Sequence, residues 1–516
     1  MRAKTLMVMG TASDVGKSVV VTALCRAFAL AGVRVAPFKS QNMSNNAAVC
    51  PGGGEIGRAQ AVQAEACGLE PSVDMNPVLL KPESESGCQV VIRGRPRFHM
   101  KAHEHERYRA EAWPEIVRSY KVLAENFDLI VIEGAGGAAE INLRHRDVVN
   151  WTIAELTDSP VLLIGDIDKG GVFASLVGTV ELLAPAERQR IKGFLINKFR
   201  GDQTLLDPGL RFLEARTGIP VLGVLPYQKS LGIPQEDSAI LDGLAVRGQP
   251  KAITIGVIRL PRISNYTDFE PLENEADVAV HYLSDPLTTP NIDVLILPGT
   301  KNTVADLRWL REAGWEDFLV RHRRGGGWVV GVCGGYQMLG RRIVDNDRIE
   351  SDRPETVALG LLEIETIFQH EKITERVGGV HLLTGLPVSG YEIHAGRVTG
   401  VTASGAVFRI VERDGVSADE FDGAHSEDGQ IIGTSIHGLF DGAAFRRNFI
   451  DAVRESKGLA ALGLSVSDDL DANRRSAFDR VADLLEEHVN MSRVAALAGV
   501  DWKRSAATTP NTSKVR

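Results

Sequence analysis

The chain has 516 residues, with 58 Lys plus Arg against 67 Asp plus Glu for a formal net charge of −9, and it is 44% hydrophobic and 24% charged. That length holds two or three domains, the composition is globular, and the acidic balance excludes a general nucleic-acid binder, which would carry a basic stripe. Five scattered cysteines without a CxxC pair exclude a disulfide scaffold and a zinc or iron–sulfur framework, so a functional cysteine here acts as a single thiol.

The first apolar run ends at Gly10, too early for a signal-peptide core or a membrane span. No later stretch is apolar for long enough, and the reading is a cytoplasmic protein without a membrane partner. Short apolar runs at 5–9, 34–38, 129–133, 161–164 and 193–196 alternate with helical patterns. This predicts a parallel, helix-flanked sheet, whose ligands gather at the carboxyl ends of its strands. His99, His103 and His105 fall in a highly charged run and read as a solvated face rather than a metal site.

Residues 231–250 loosen into a linker-like stretch. A second alternation follows, with AITIGVIRL, VLILPGT and WVVGVCGG as strands. Ala477, Val481, Leu484 and Leu485 recur at helical spacing and predict a terminal helix or helix pair packed on the second domain. The expected organisation is a first domain at 1–232, a linker at 233–251, a second domain at 252–447, a helical segment at 448–500 and a polar, disordered tail at 501–516.

The segment GTASDVGKSVV lies between a strand and a helix pattern and is a P-loop variant, with five residues rather than four between Gly10 and Gly16. Its backbone amides and the helix N-terminus suit a phosphate, with Lys17 as counter-charge and Ser18 as a Mg²⁺ ligand. Strand-end residues supply partners: Lys39 for a second phosphate contact, Glu133 for Mg²⁺, and Asp166 and Asp168 nearby. Asn197 and Lys198 are candidates for the adenine base. The set predicts a nucleotide-plus-metal site.

Cys333 follows an apolar strand, precedes a helix pattern, and sits among Gly331, Gly334 and Gly335. That is the layout of a nucleophile elbow, a tight turn that exposes one side chain next to backbone N–H groups. A helix N-terminus lowers a thiol pKa, and a cysteine nucleophile needs a histidine base. His394 and His437 are the candidates, and His437, beside Gly438 at the end of a short strand, is preferred. The Gly334 and Gly299 amides are the expected oxyanion donors. The chemistry implied is acyl transfer through a thioester.

The variant P-loop resembles that of dethiobiotin synthetase, and the Cys333 elbow with His437 is similar to the triad glutamine amidotransferases of cobalamin biosynthesis. FKSQNMSNNA, EIGRAQAVQAEA, MNPVLLKP, VIEGAGGAAEINL, DIDKGGVFA, NKFRGD, LPRISNYTDFEPL and GYEIHAGR look like segments of the cobyric acid synthase family, in order over positions 5 to 490. The resemblance implies an N-terminal P-loop parallel-sheet domain joined to a class I glutamine amidotransferase α/β domain. It implies ATP and Mg²⁺ as cofactors, and glutamine and a corrinoid as small-molecule partners. Glutamine would be hydrolysed at Cys333, and ATP would activate the b, d, e and g carboxylates of adenosylcobyrinic a,c-diamide for amidation to adenosylcobyric acid. The position two residues after His437, where most triad amidotransferases carry a glutamate, is Leu439, so the third member of the triad is left open. Glu55 lies at about the right distance after Lys39 for the metal ligand that dethiobiotin synthetase carries. The competing readings are the sibling enzyme that amidates the a and c carboxylates, and a non-catalytic P-loop switch joined to a partner-binding module.

Overall fold

The structure, a computed structural model, describes residues 3–83, 87–101, 104–229, 231–234, 251–464 and 470–502. Most of the linker expected at 233–251, and the tail from 503 onward, therefore lie outside the described residues, as does His103.

The first domain is built on six parallel strands, β1 (Lys4–Gly10), β2 (Val35–Phe38), β3 (Leu129–Gly137), β4 (Val161–Asp166), β5 (Ile191–Phe199) and β6 (Val221–Pro226), in the order β6-β5-β4-β1-β3-β2. Each of the five expected runs is a strand, and β6 is the sixth. The period-2 alternation of a strand distributes its side chains to two faces. Leu6 and Val8 of β1 enter one core with Leu129 and Val131 of β3, while Met7 and Met9 enter the other with Ile130 and Ile132. Both faces are covered, as parallel sheets require. Helix α1 (Lys17–Leu30) covers the first face, and a second helix, α2 (Arg58–Ala66), lies against it. A four-stranded sheet with the order Gln41–Met43, Val78–Pro82, Gly87–Ile92, Arg95–Lys101 is added at the side.

The second domain repeats the theme with β7 (Ile253–Ile258), β8 (Val278–Leu283), β9 (Val294–Leu297), β10 (Trp328–Val332), β11 (Ala424–His425) and β12 (Ile431–Thr434), in the order β8-β7-β9-β10-β12-β11. All neighbours are parallel except β11 with β12. Helix α3 (Gly334–Leu339) follows β10 directly. A mixed sheet around the long strands Glu365–His381 and Pro387–Thr399 flanks this domain. The two domains meet across a small apolar cluster in which Ala47, Val49, Leu79 and Val91 of the first pack on Ile393 of the second.

Two expectations about the C-terminal segment are corrected. Helix Ala443–Ser456 runs through the boundary expected at 447/448 and packs into the core of the second domain through Phe445, Phe449, Ile450 and Val453. The terminal helices α4 (Leu470–His488) and α5 (Met491–Ala498) pack on the first domain, not the second. Ala477, Phe478, Val481, Ala482 and Leu485 share a core with Val20, Val21, Leu24 and Phe28 of α1. The face of α1 turned away from its sheet is apolar, and the chain returns from the second domain to cover it.

Candidate functional site

Two constellations sit at strand ends, one in each domain. In the first, β1 hands over to the loop 11–16 and α1 begins at Lys17, with Gly16 at φ 96°. Only glycine takes that conformation without strain, and a Cβ there would lie 2.1 Å from Asn197 Nδ2. Lys17 Nζ donates to Ala12 O at 2.9 Å and Gly136 O at 3.0 Å, and a Cβ on Gly10 would lie 3.0 Å from the same ammonium. Asn197 lines the cleft, with its amide donating to Val15 O at 2.8 Å, so it braces the loop. Lys198 donates to Asp14 O and to Asp166 Oδ2, each at 2.7 Å, and Asp168 accepts from Arg200 at 2.8 Å.

Glu133, at 1% exposure, is the hub. Its Oε1 accepts from Ser18 Oγ at 2.8 Å and from Lys39 Nζ at 2.8 Å, and its Oε2 accepts from Gln63 Nε2 at 2.6 Å. Burial pushes its pKa up, but the Lys39 charge and these hydrogen bonds outweigh it and hold the carboxyl below its ordinary range. A hydroxyl and an ionised carboxylate side by side at a helix N-terminus are hard oxygen donors, a set that fits Mg²⁺.

Glu55 does not belong to this group. It is fully buried, and its two oxygens accept from Lys81 at 2.8 Å and Lys372 at 2.6 Å, an ion cluster that joins the domains. Burial raises its pKa, yet the two lysines bring it down to about 2. Its carboxylate is therefore consumed by structural cations, which corrects the expectation of a metal ligand. His99 pairs with Glu83 at 2.7 Å on the surface.

In the second domain Cys333 sits between β10 and α3 at φ 50°, ψ −106°, the strained turn of an elbow. Burial alone would push its thiol up. The charge and hydrogen bond of His437, then His394 and the Gly334 amide, outweigh burial and lower it. His437 is pulled down by burial but carried up to about 10 by Asp268 and Cys333. Each partner's charge favours the ionised form of the other. Gly299 touches the base, since a Cβ on it would lie 2.8 Å from His437 Cε1, and a Cβ on Gly334 would lie 2.7 Å from Thr300 Cγ2.

The residue that sequence reasoning missed is Asp268. Its Oδ2 accepts from His437 Nδ1 at 2.6 Å and its Oδ1 from the Gly438 amide at 3.0 Å. It orients the imidazole from the opposite side of the chain, in the 3₁₀ turn Tyr266–Phe269, whereas the position two after the histidine, Leu439, is core. RISNYTDFEPL was visible as an unusual segment, but nothing in it says that its aspartate meets His437. His394, the alternative base, also lies near Cys333, with Nδ1 bonded to Gly396 O at 2.7 Å. Both have a carboxylate beside them, Glu392 at 3.5 Å from His394 Nε2 and Asp268 at 2.6 Å from His437 Nδ1, and the shorter contact is on His437.

Residues 6–239 match the CobQ/CobB/MinD/ParA nucleotide binding domain, and residues 254–445 match the CobB/CobQ-like glutamine amidotransferase domain. The chain is 48% identical to the cobyric acid synthase of Sorangium cellulosum (strain So ce56), over 97% of this chain and 100% of that protein. It is 47% identical to that of Dehalococcoides mccartyi (strain CBDB1), over 96% and 99%, and 48% identical to that of Photorhabdus laumondii subsp. laumondii, over 95% and 97%. With both domains matched and likeness running from end to end, the chain belongs to the cobyric acid synthase family, glutamine-hydrolysing ligases of cobalamin biosynthesis.

Proposed function

We propose that this chain amidates the b, d, e and g carboxylates of adenosylcobyrinic a,c-diamide, with ATP and glutamine, to give adenosylcobyric acid. The observation that carries the reading is that one chain holds both a Cys–His–Asp site and a P-loop cleft with room for two substrates. The cleft has a volume of about 1220 Å³, larger than the roughly 300–1,000 Å³ of a single small-molecule pocket. Beyond the P-loop it is lined by Met43, Ile141 and Leu143, which are 59%, 57% and 49% exposed, by Arg146, and by Arg144, whose guanidinium is paired with Glu187. Apolar side chains offered to solvent beside guanidinium groups suit a flat macrocycle with an anionic periphery.

At the glutaminase site the Cys333 thiolate attacks the glutamine carboxamide carbon, and the oxyanion meets the Gly334 and Gly299 amides. The C–N bond breaks as His437 passes its proton to the departing nitrogen, and ammonia leaves. Water, deprotonated by His437, then cleaves the thioester to glutamate. Asp268 holds the imidazole in the orientation that serves both steps.

At the P-loop site a substrate carboxylate oxygen attacks the γ-phosphorus of ATP, releasing ADP and leaving an acyl phosphate. A carboxylate is a poor acyl donor and an acyl phosphate a good one. Ammonia attacks the acyl carbon, the C–O bond to phosphate breaks, and loss of a proton leaves the amide. Lys17 and the amides of loop 11–16 hold the phosphates, and Ser18 and Glu133 are the residues that would hold Mg²⁺. When bound, Mg²⁺ supplies charge neutralisation at the phosphate oxygens.

Mass analysis of the product formed from the diamide with glutamine and ATP tests the substrate. Four successive amidations are expected. No change of the diamide, with two amides added to the unsubstituted acid, would replace this reading by that of the a,c-diamide synthase.

A further inference from the structure

Helix α2 touches both sites. Near one end, Gln63 Nε2 donates to Glu133 Oε2 at 2.6 Å. At the other end, Arg58 Nη2 donates to Tyr391 Oη at 2.5 Å and to Ala47 O at 3.0 Å. Tyr391 is the residue stacked on His437, with ring centroids 5.3 Å apart and planes 19° from parallel. The two residues also exchange backbone hydrogen bonds, Tyr391 N to His437 O at 3.0 Å and His437 N to Tyr391 O at 2.8 Å. One guanidinium of the nucleotide domain thus grips the ring that lies flat against the glutaminase base.

The carboxylate on the other side of that base is tied to the same domain. Ala47 N donates to Asn265 Oδ1 at 2.9 Å, and Tyr266 N donates to Asn46 Oδ1 at 3.1 Å. Asn265 and Tyr266 stand three and two residues before Asp268, at the start of its turn. The stacked Tyr391 itself, and the turn that carries Asp268 through Asn265 and Tyr266, are therefore hydrogen-bonded to residues 46–58 of the nucleotide domain.

The helix between the two ends is short and stiff. Gln63 is five positions after Arg58, about 7.5 Å of rise. Gln60 and Gln63 are fully buried, and Arg58 Nε, Gln60 Nε2 and Gln63 Oε1 have no hydrogen-bond partner among the described residues. Unpaired polar atoms in a buried helix cost stability, so the sequence retains them against their packing interest. An element with spare donors and acceptors at each end can exchange partners when a charge at Glu133 is engaged.

We propose that Arg58 is a positioning residue for the glutaminase and that α2 couples the orientation of His437 to what Glu133 holds in the nucleotide cleft. The inference rests on reading Cys333–His437 as the glutaminase and the P-loop cleft as the ATP site. Such coupling is a linkage between two sites through one element that both contact. Its chemical consequence is that glutamine is hydrolysed efficiently only when a carboxylate is ready to be activated.

The test uses the full chain and measures glutamate release with and without ATP, Mg²⁺ and the diamide, alongside synthesis from free ammonia. The wild type should release glutamate faster with the nucleotide and diamide present. Arg58→Gln should lower kcat for glutamine hydrolysis by about 10-fold or more, with KM for glutamine little changed, and should abolish the stimulation. Synthesis from free ammonia should persist, which shows an intact fold and an intact ATP site. Arg58→Lys, which keeps a charge and a donor, should recover part of the stimulation. Gln63→Leu, at the other end of α2, should lose the stimulation as well. Wild-type stimulation in Arg58→Gln, or loss of its ammonia-dependent synthesis in parallel with the glutaminase, would overturn the proposal. Absence of any glutamate release by the wild type would instead overturn the glutaminase reading on which it rests.

Discussion

Asp268 accepts a 2.6 Å hydrogen bond from Nδ1 of His437 and, through its other oxygen, one of 3.0 Å from the Gly438 amide. Two donors from consecutive residues lock the carboxylate, and the carboxylate locks the imidazole. The Nε2 face of the ring is left for Cys333.

Asp268→Asn therefore has a defined sign in pH. The carboxylate favours the charged imidazolium and helps carry His437 up to about 10. Without it the His437 pKa falls, and the thiolate loses part of the positive charge that lowers Cys333, so the thiol pKa rises. The pH range in which thiolate and imidazolium coexist narrows from both sides. Glutamine hydrolysis should drop on the order of 10⁴-fold, with a narrower pH profile. Iodoacetamide alkylation of Cys333 near neutral pH should slow. An unchanged alkylation rate would detach Asp268 from the pair.

Cys333→Ala and Lys17→Ala separate the two halves of the reaction. The first should abolish glutamine-dependent amidation while free ammonia still supports it, because the P-loop cleft is untouched. The second should abolish amidation from either nitrogen source, because Lys17 lies at the phosphate loop. Product mass with glutamine or ammonium salt as nitrogen source reads both.

Glu55→Gln should weaken the molecule at the domain junction. It leaves Lys81, at 3% exposure, and Lys372 without their shared anion. Removing one partner of a buried ion cluster costs about 3–5 kcal/mol, and denaturant unfolding should report that loss. Acid should act on the wild type in the same way. The folded pKa of about 2 lies below the ordinary 4.5. The contribution of Glu55 is thus complete above the ordinary value and lost as the pH falls towards 2.

Phe478→Ala tests the return of the chain to the first domain. Phe478 is 2% exposed and packs in the core around α1. Its truncation should cost about 3–5 kcal/mol and lower the melting temperature of the ATP-stabilised first domain. A loss confined to the second domain would contradict the packing.

The P-loop, the Cys333 elbow and five strands of the first sheet were legible in the sequence because each is a local object. Strand, turn and helix follow one another within about 20 residues, and glycine spacing reports the turn directly. Leu439, two residues after the histidine, is buried apolar core. The Asp268–His437 pair spans 169 positions, and no period or motif registers a contact at that separation. Glu55 shows the same limit from the other side. Its distance from Lys39 along the chain suggested a metal ligand, while its real partner Lys372 lies 317 positions away in the second domain.

What the sequence determined by itself was the chemistry on offer: a phosphate loop, a single thiol at a tight turn with a histidine, two α/β units and the family they resemble. Tertiary structure alone decided which carboxylate orients the base, which one pairs with lysines, and which domain the terminal helices cover. The physical reason is that a side chain's protonation and pairing depend on neighbours brought within about 3 Å by folding, and a linear pattern encodes the residues but not those distances.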